Sequence, residues 1–75
     1  MNIGERITAL RKEKNISQTE LATRLGVSRQ AVSKWEQGSS SPDTGKLIQL
    51  AELFDTEVEY LATGIRPEPK SVVLN

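Results

Sequence analysis

The sequence predicts an all-α fold, a compact bundle of five short helices, on the strength of three observations. Apolar residues recur at helical spacing, as in Ile3, Ile7 and Leu10 or Leu47, Leu50, Ala51 and Phe54. Residues that favour helix starts (Asn2, Ser17, Ser28 and Asp43) precede the stripes, and Gly26, Gly38 and Gly64 follow them. Strand-like alternation of apolar and polar residues is missing everywhere except in the short run 71–74.

The first helix opens with Asn2 and Glu5, spaced as a capping box, and runs to about Lys14, where Asn15 accepts the left-handed conformation that ends helices. Ser17 and Glu20 repeat that spacing before a helix of about two turns, whose Leu21, Ala22 and Leu25 face inward and which stops at Gly26. After only Gly26 and Val27, Ser28 caps a third helix that carries Ala31, Val32 and Trp35 and ends before Gly38. Two short helices joined by a tight glycine turn make a helix-turn-helix unit. Ser39, Ser40, Ser41 and Pro42 form a loop, from which Asp43 or a neighbouring serine caps the fourth helix. Thr56 and Glu59 mark the start of a fifth, with Val58 and Leu61 inward and Gly64 as terminator. Pro67 and Pro69 exclude a helix beyond that point, so residues 1–65 read as one domain and 66–75 as an extended tail. Val72, Val73 and Leu74 in that tail are β-prone and apolar, suited to pairing with a partner chain, to folding back or to fraying.

Composition removes several classes of function. With no Cys and no His among 75 residues, disulfide frameworks and zinc sites are excluded, and neither a metal nor a cofactor is expected. The apolar runs are too short and too often interrupted by charge to span a bilayer, which takes about 18 to 20 residues. A soluble cytoplasmic protein without membrane partners is the expectation. An enzyme would need carboxylates or lysines gathered in a pocket, whereas Glu52, Glu57 and Glu59 fall where a solvated helix surface is expected. The formal net charge is zero, but residues 1–38 carry seven cationic and four anionic side chains while residues 39–75 carry three and six. A polyanionic partner is therefore expected at the first half.

The third helix concentrates the polar chemistry. At about 100° per residue, Ala31, Val32 and Trp35 fall on one arc, while Arg29, Gln30, Ser33, Lys34 and Gln37 share the opposite face. Arg and Lys suit the O6 and N7 of guanine, Gln grips adenine through two hydrogen bonds, and Ser is a short donor or acceptor. The outward face carries no carboxylate to repel phosphate, and Glu36 lies at its boundary, free to face another helix. The competing interpretation is an ordinary solvated helix face. Trp35 reads as core rather than as an intercalating side chain.

These residues resemble the phage-repressor and Cro type of helix-turn-helix domain, also called the xenobiotic-response-element type. The resemblance runs through Ser17-Gln18-Thr19-Glu20-Leu21-Ala22 and Gly26-Val27-Ser28-Arg29-Gln30-Ala31-Val32-Ser33-Lys34-Trp35-Glu36-Gln37-Gly38, then Pro42 and the Leu47, Leu50, Leu53 series. It implies a sequence-specific regulator of transcription, with a repressor the first expectation, whose third helix enters the major groove of double-stranded DNA. It also implies a homodimer on an operator with two half-sites. It makes Ser28, Arg29, Gln30, Ser33 and Lys34 base or phosphate contacts. Ser17 and Gln18 come to a phosphate at the start of the second helix, unless Gln18 is a plain helix-start residue. Arg11 and Glu36 match a pair that commonly bridges the first and third helices and would hold Arg11 near the phosphates; the alternative is two independent surface charges.

Relatives often carry Lys or Arg after the glycine that ends the third helix. Here Ser39 and Ser40 stand in that loop, leaving hydroxyls and backbone N–H groups for phosphate and a weaker non-specific attraction. Tyr60, Leu61, Ile65, Val72 and Val73 are the candidate dimer contacts, with intramolecular packing the alternative for Tyr60 and Leu61. A second expectation is an antitoxin-type DNA-binding protein that also seats a protein partner on its acidic half or its tail.

Overall fold

The computed structural model describes residues 2–65. The tail residues Val72 and Val73, and the domain boundary at residue 66, lie outside the described part. Within it the chain forms five helices: α1 (Ile3–Glu13), α2 (Gln18–Leu25), α3 (Arg29–Gln37), α4 (Thr44–Leu53) and α5 (Val58–Thr63).

Local chemistry accounts for most of the boundaries. Asn2 and Glu5 form the reciprocal capping box, and Asn15 takes a φ of 63° after α1. Ser17, Ser28 and Asp43 each accept a backbone N–H in the first turn of α2, α3 and α4. Expectations for α2 and α5 are corrected. Glu20 does not reach back to Ser17; its carboxylate takes Arg24 one turn further on at 2.7 Å, leaving a simple serine cap. The start of α5 is set at Glu57 without any side-chain cap, the hydroxyl of Thr56 is buried with no hydrogen-bond partner among the described residues, and Val58, expected to face inward, is exposed.

The core forms where the stripes meet. Ile7, Leu21, Val32, Leu50 and Leu61, one from each helix, are wholly buried. Burying a side chain of this size contributes about 1.5–3 kcal/mol, so each helix is held chiefly by its neighbours. Trp35, Phe54, Ala22, Leu25 and Ala51 fill the spaces between them.

Among the described residues, three cationic side chains reach helices distant in sequence. Arg6 of α1 is buried and donates from Nε to the Leu61 carbonyl and from Nη2 to that of Ala62, both at 2.9 Å. It supplies positive charge and donors where the last carbonyls of α5 lack helical partners. Lys46 of α4 does the same for α2 through the Leu25 carbonyl at 3.0 Å. The third contact, between Arg11 and Glu36, belongs to the site.

Candidate nucleic-acid interface

Three features hold α3 rigidly. Ser28 fixes its first turn through the Ala31 N–H at 3.1 Å, and Gly38 ends it with a φ of 84°. Val32 and Trp35 lock its inner face into the core. Its backbone also lies directly against α1 at Gly4, where a Cβ would stand against the Trp35 carbonyl oxygen and 2.7 Å from that of Glu36. Only a glycine permits this approach. The sequence held a signal for it: a glycine inside an amphipathic helix costs about 1 kcal/mol and calls for a packing reason.

The outer face of α3 presents Arg29, Gln30, Lys34 and Gln37 to solvent, with Ser28 exposed at its start and Ser33 half-buried. Gln37 donates to the Ser33 hydroxyl at 3.1 Å, one turn apart. The one carboxylate of α3, Glu36, is turned away, its side chain only 7% exposed. The exposed face therefore offers donors and cationic groups without a competing anion.

Glu36 is the hub beneath that face. It receives Arg11 through Nε at 2.7 Å and Nη2 at 3.2 Å, a two-point grip, and the Gln18 amide nitrogen at 3.0 Å. Burial alone would push its carboxyl up; hydrogen bonds from Arg11 and Gln18, the Arg11 charge and the Thr8 hydroxyl outweigh that and hold it below the usual glutamate range. Thr8, whose one hydroxyl proton is shared between Glu36 and the Gly4 carbonyl at 2.9 Å, was not among the sequence-derived candidates, since a lone threonine on a helix carries no distinctive pattern. The amide oxygen of Gln18 in turn accepts from Arg29 Nη1 at 3.3 Å.

The arrangement gives several candidates internal partners. Arg11 also donates from Nη1 to the Ile16 carbonyl at 2.9 Å, and its side chain is 13% exposed, so it ties α1 to the turn before α2 and to α3. Gln18 bridges α2 to α3 instead of projecting alone. Ser17 spends its hydroxyl on the Glu20 N–H. Ser39 and Ser40 are exposed, but their backbone N–H groups donate to the Lys34 carbonyl at 2.9 and 3.4 Å, so only their hydroxyls remain for phosphate. Leu61 is wholly buried within its own chain, the intramolecular packing that was its alternative to a dimer contact; Tyr60 is half-buried and Ile65 is 65% exposed.

The chain matches the helix-turn-helix family over residues 7–61 and belongs to it. Among its relatives, the HTH-type transcriptional activator BcrR of Enterococcus faecalis is 38% identical over 64 residues, 85% of this chain and 31% of that protein. Repressor protein C2 of Salmonella phage P22 is 37% identical over 62 residues, 83% of this chain and 29% of that protein. The crystal structure of the P22 c2 repressor in complex with a synthetic operator superposes with a TM-score of 0.82 at 35% identity, covering 87% of this chain and 98% of that one. The chain thus spans about a third of the length of these two curated relatives. Among the described residues, no helix is long and apolar enough to cross a membrane.

Proposed function

We propose that the chain binds double-stranded DNA with sequence preference and regulates transcription, laying α3 in the major groove. The observation that carries this reading is the carboxylate-free outer face of α3, with Arg29, Gln30 and Lys34 exposed on a helix whose inner face and both ends are fixed. Such a face combines base-reading donors with the preorganisation that makes a hydrogen bond selective. A relative solved on an operator supports the same docking. Residues 1–65 would be the binding unit. The partner at each half-site would be a second copy of the chain, giving half-sites about 34–36 Å apart. The exposed apolar side chains Ile48, Val58 and Ile65 on the α4–α5 side supply a surface for that contact. Repression by occluding a promoter in the cytoplasm follows as the mode of action.

Selection of bound duplexes from a random pool tests the reading. A defined motif is expected, with preference at separate base pairs lost in Arg29→Ala and Gln30→Ala; recovery of random sequence by the wild-type chain would refute it. Sedimentation of the full chain and of a form ending at Gly64 tests the dimer. Monomers from both would remove the two-half-site model, and a dimer lost on truncation would place the contact in the tail.

A further inference from the structure

The polar contacts under α3 do more than brace it. We propose that Gln18 is a positioning residue for Arg29, and that Glu36 sets the direction in which its amide points, so that base discrimination by Arg29 depends on two side chains that need not touch a base. The proposal rests on the DNA-binding reading above.

The argument is one of donor and acceptor polarity. An ionised carboxylate only accepts hydrogen bonds and a guanidinium only donates, whereas an amide has one end of each kind. Gln18 lies between the two: its nitrogen is 3.0 Å from Glu36 Oε1 and its oxygen 3.3 Å from Arg29 Nη1. Turning the amide over would set oxygen against carboxylate and N–H against guanidinium, losing both contacts together. Glu36 cannot move to relieve this, because two nitrogens of Arg11 hold it and its side chain is 7% exposed. The direction of the Gln18 amide is therefore imposed from beneath.

The consequence lies at the other end of the chain of contacts. Arg29 stands in the first turn of α3 on the exposed face, with a long side chain that would otherwise sample many rotamers. A tethered guanidinium loses less freedom when it meets a base edge and is held in one register against it, which favours the guanine pattern of two acceptors over the alternatives.

A plain phosphate contact by Gln18 makes a different prediction, and duplex-binding measurements separate the two. With the motif of the wild-type chain in hand, Gln18→Ala is expected to lower discrimination roughly threefold to tenfold at the base pair that Arg29→Ala identifies. Affinity for scrambled duplex should change by less than about twofold. In the Arg29→Ala background, Gln18→Ala should add nothing. Glu36→Gln leaves both amide directions available and should give a loss at the same base pair, measured at a temperature where circular dichroism shows the variant folded. An equal loss on specific and scrambled duplexes with a shallower salt slope, or effects that add in the double variant, would overturn the proposal. Nitrogen relaxation at Arg29 Nε in the free protein provides an arm without DNA: greater order is expected in wild type than in Gln18→Ala, and equal order overturns the tether. A wild-type chain that selects no motif defeats the DNA-binding reading before any variant is made, so the two failures cannot be confused.

Discussion

The two halves of the molecule solve the problem of a small core differently. Around α1 to α3, polar groups are paired through Arg11, Glu36, Gln18 and Arg29, and the helix starts carry side-chain caps. Around α4 and α5, a buried Thr56 hydroxyl has no partner among the described residues, α5 lacks a side-chain cap, and Ile48, Val58 and Ile65 are exposed. Charge divides the same way, with the cationic excess in residues 1–38 and the anionic excess in residues 39–75. The first half is thus built to hold one helix face in fixed geometry. The second is stabilised largely from outside itself, by burial of Leu61 and by Arg6 reaching over from α1.

The largest expected effect tests the rigidity of the first half. Trp35→Ala should cost about 3–5 kcal/mol, read by chemical denaturation, because it removes the main anchor of α3 from a core with few substitutes. A loss under about 1 kcal/mol would show that the core closes around the gap.

Arg6→Leu probes the dependence of the second half on the first. Removing donors from the Leu61 and Ala62 carbonyls should cost about 2–3 kcal/mol. Amide exchange should rise most in α5 and least in α3. Uniform loosening would mean that the halves are not separable.

Acid should weaken the α1–α3 brace. The Glu36 carboxyl is held below its ordinary range in the folded chain, so its contribution is full above its unfolded-state pKa and is lost as pH falls through the folded value. Denaturation midpoints should therefore drop on acidification below about pH 4.5. Glu36→Gln should be less stable at neutral pH and show a flatter acid limb. An unchanged acid limb in that variant would place the sensitivity in other carboxylates.

The smallest effect has the opposite sign. Thr56→Val replaces the unpaired buried hydroxyl with a methyl and should leave stability unchanged or raise it by up to about 1 kcal/mol in thermal denaturation. Destabilisation beyond about 1 kcal/mol would show that the hydroxyl is bonded in solution.

The order of helices was legible in the sequence because capping and termination are local. Asn2, Ser17, Ser28 and Asp43 act within one turn, and Gly26, Gly38 and Gly64 adopt positive φ as helix ends demand. The inward arc of α3 followed from its periodicity alone. Thr56 misled because its spacing suits a cap while its packing buries it. Arg6 escaped notice because a cation on a helix reads as solvent-facing until the carbonyls it meets, 55 and 56 residues away, are brought to it.

What the sequence determined by itself was therefore the set of five helices, their caps and the composition of the exposed face of α3, all properties of neighbouring residues. Tertiary structure alone decided that Gly4 lets α1 touch the backbone of α3, that Val58 turns outward while Leu61 is buried, and that Gln18 lies between a carboxylate and a guanidinium. These depend on how helices cross, and crossing angles arise from the collective packing of side chains distant in the chain. The polar face could be read one residue at a time, whereas the arrangement that steadies it exists only once α1, α2 and α3 have met.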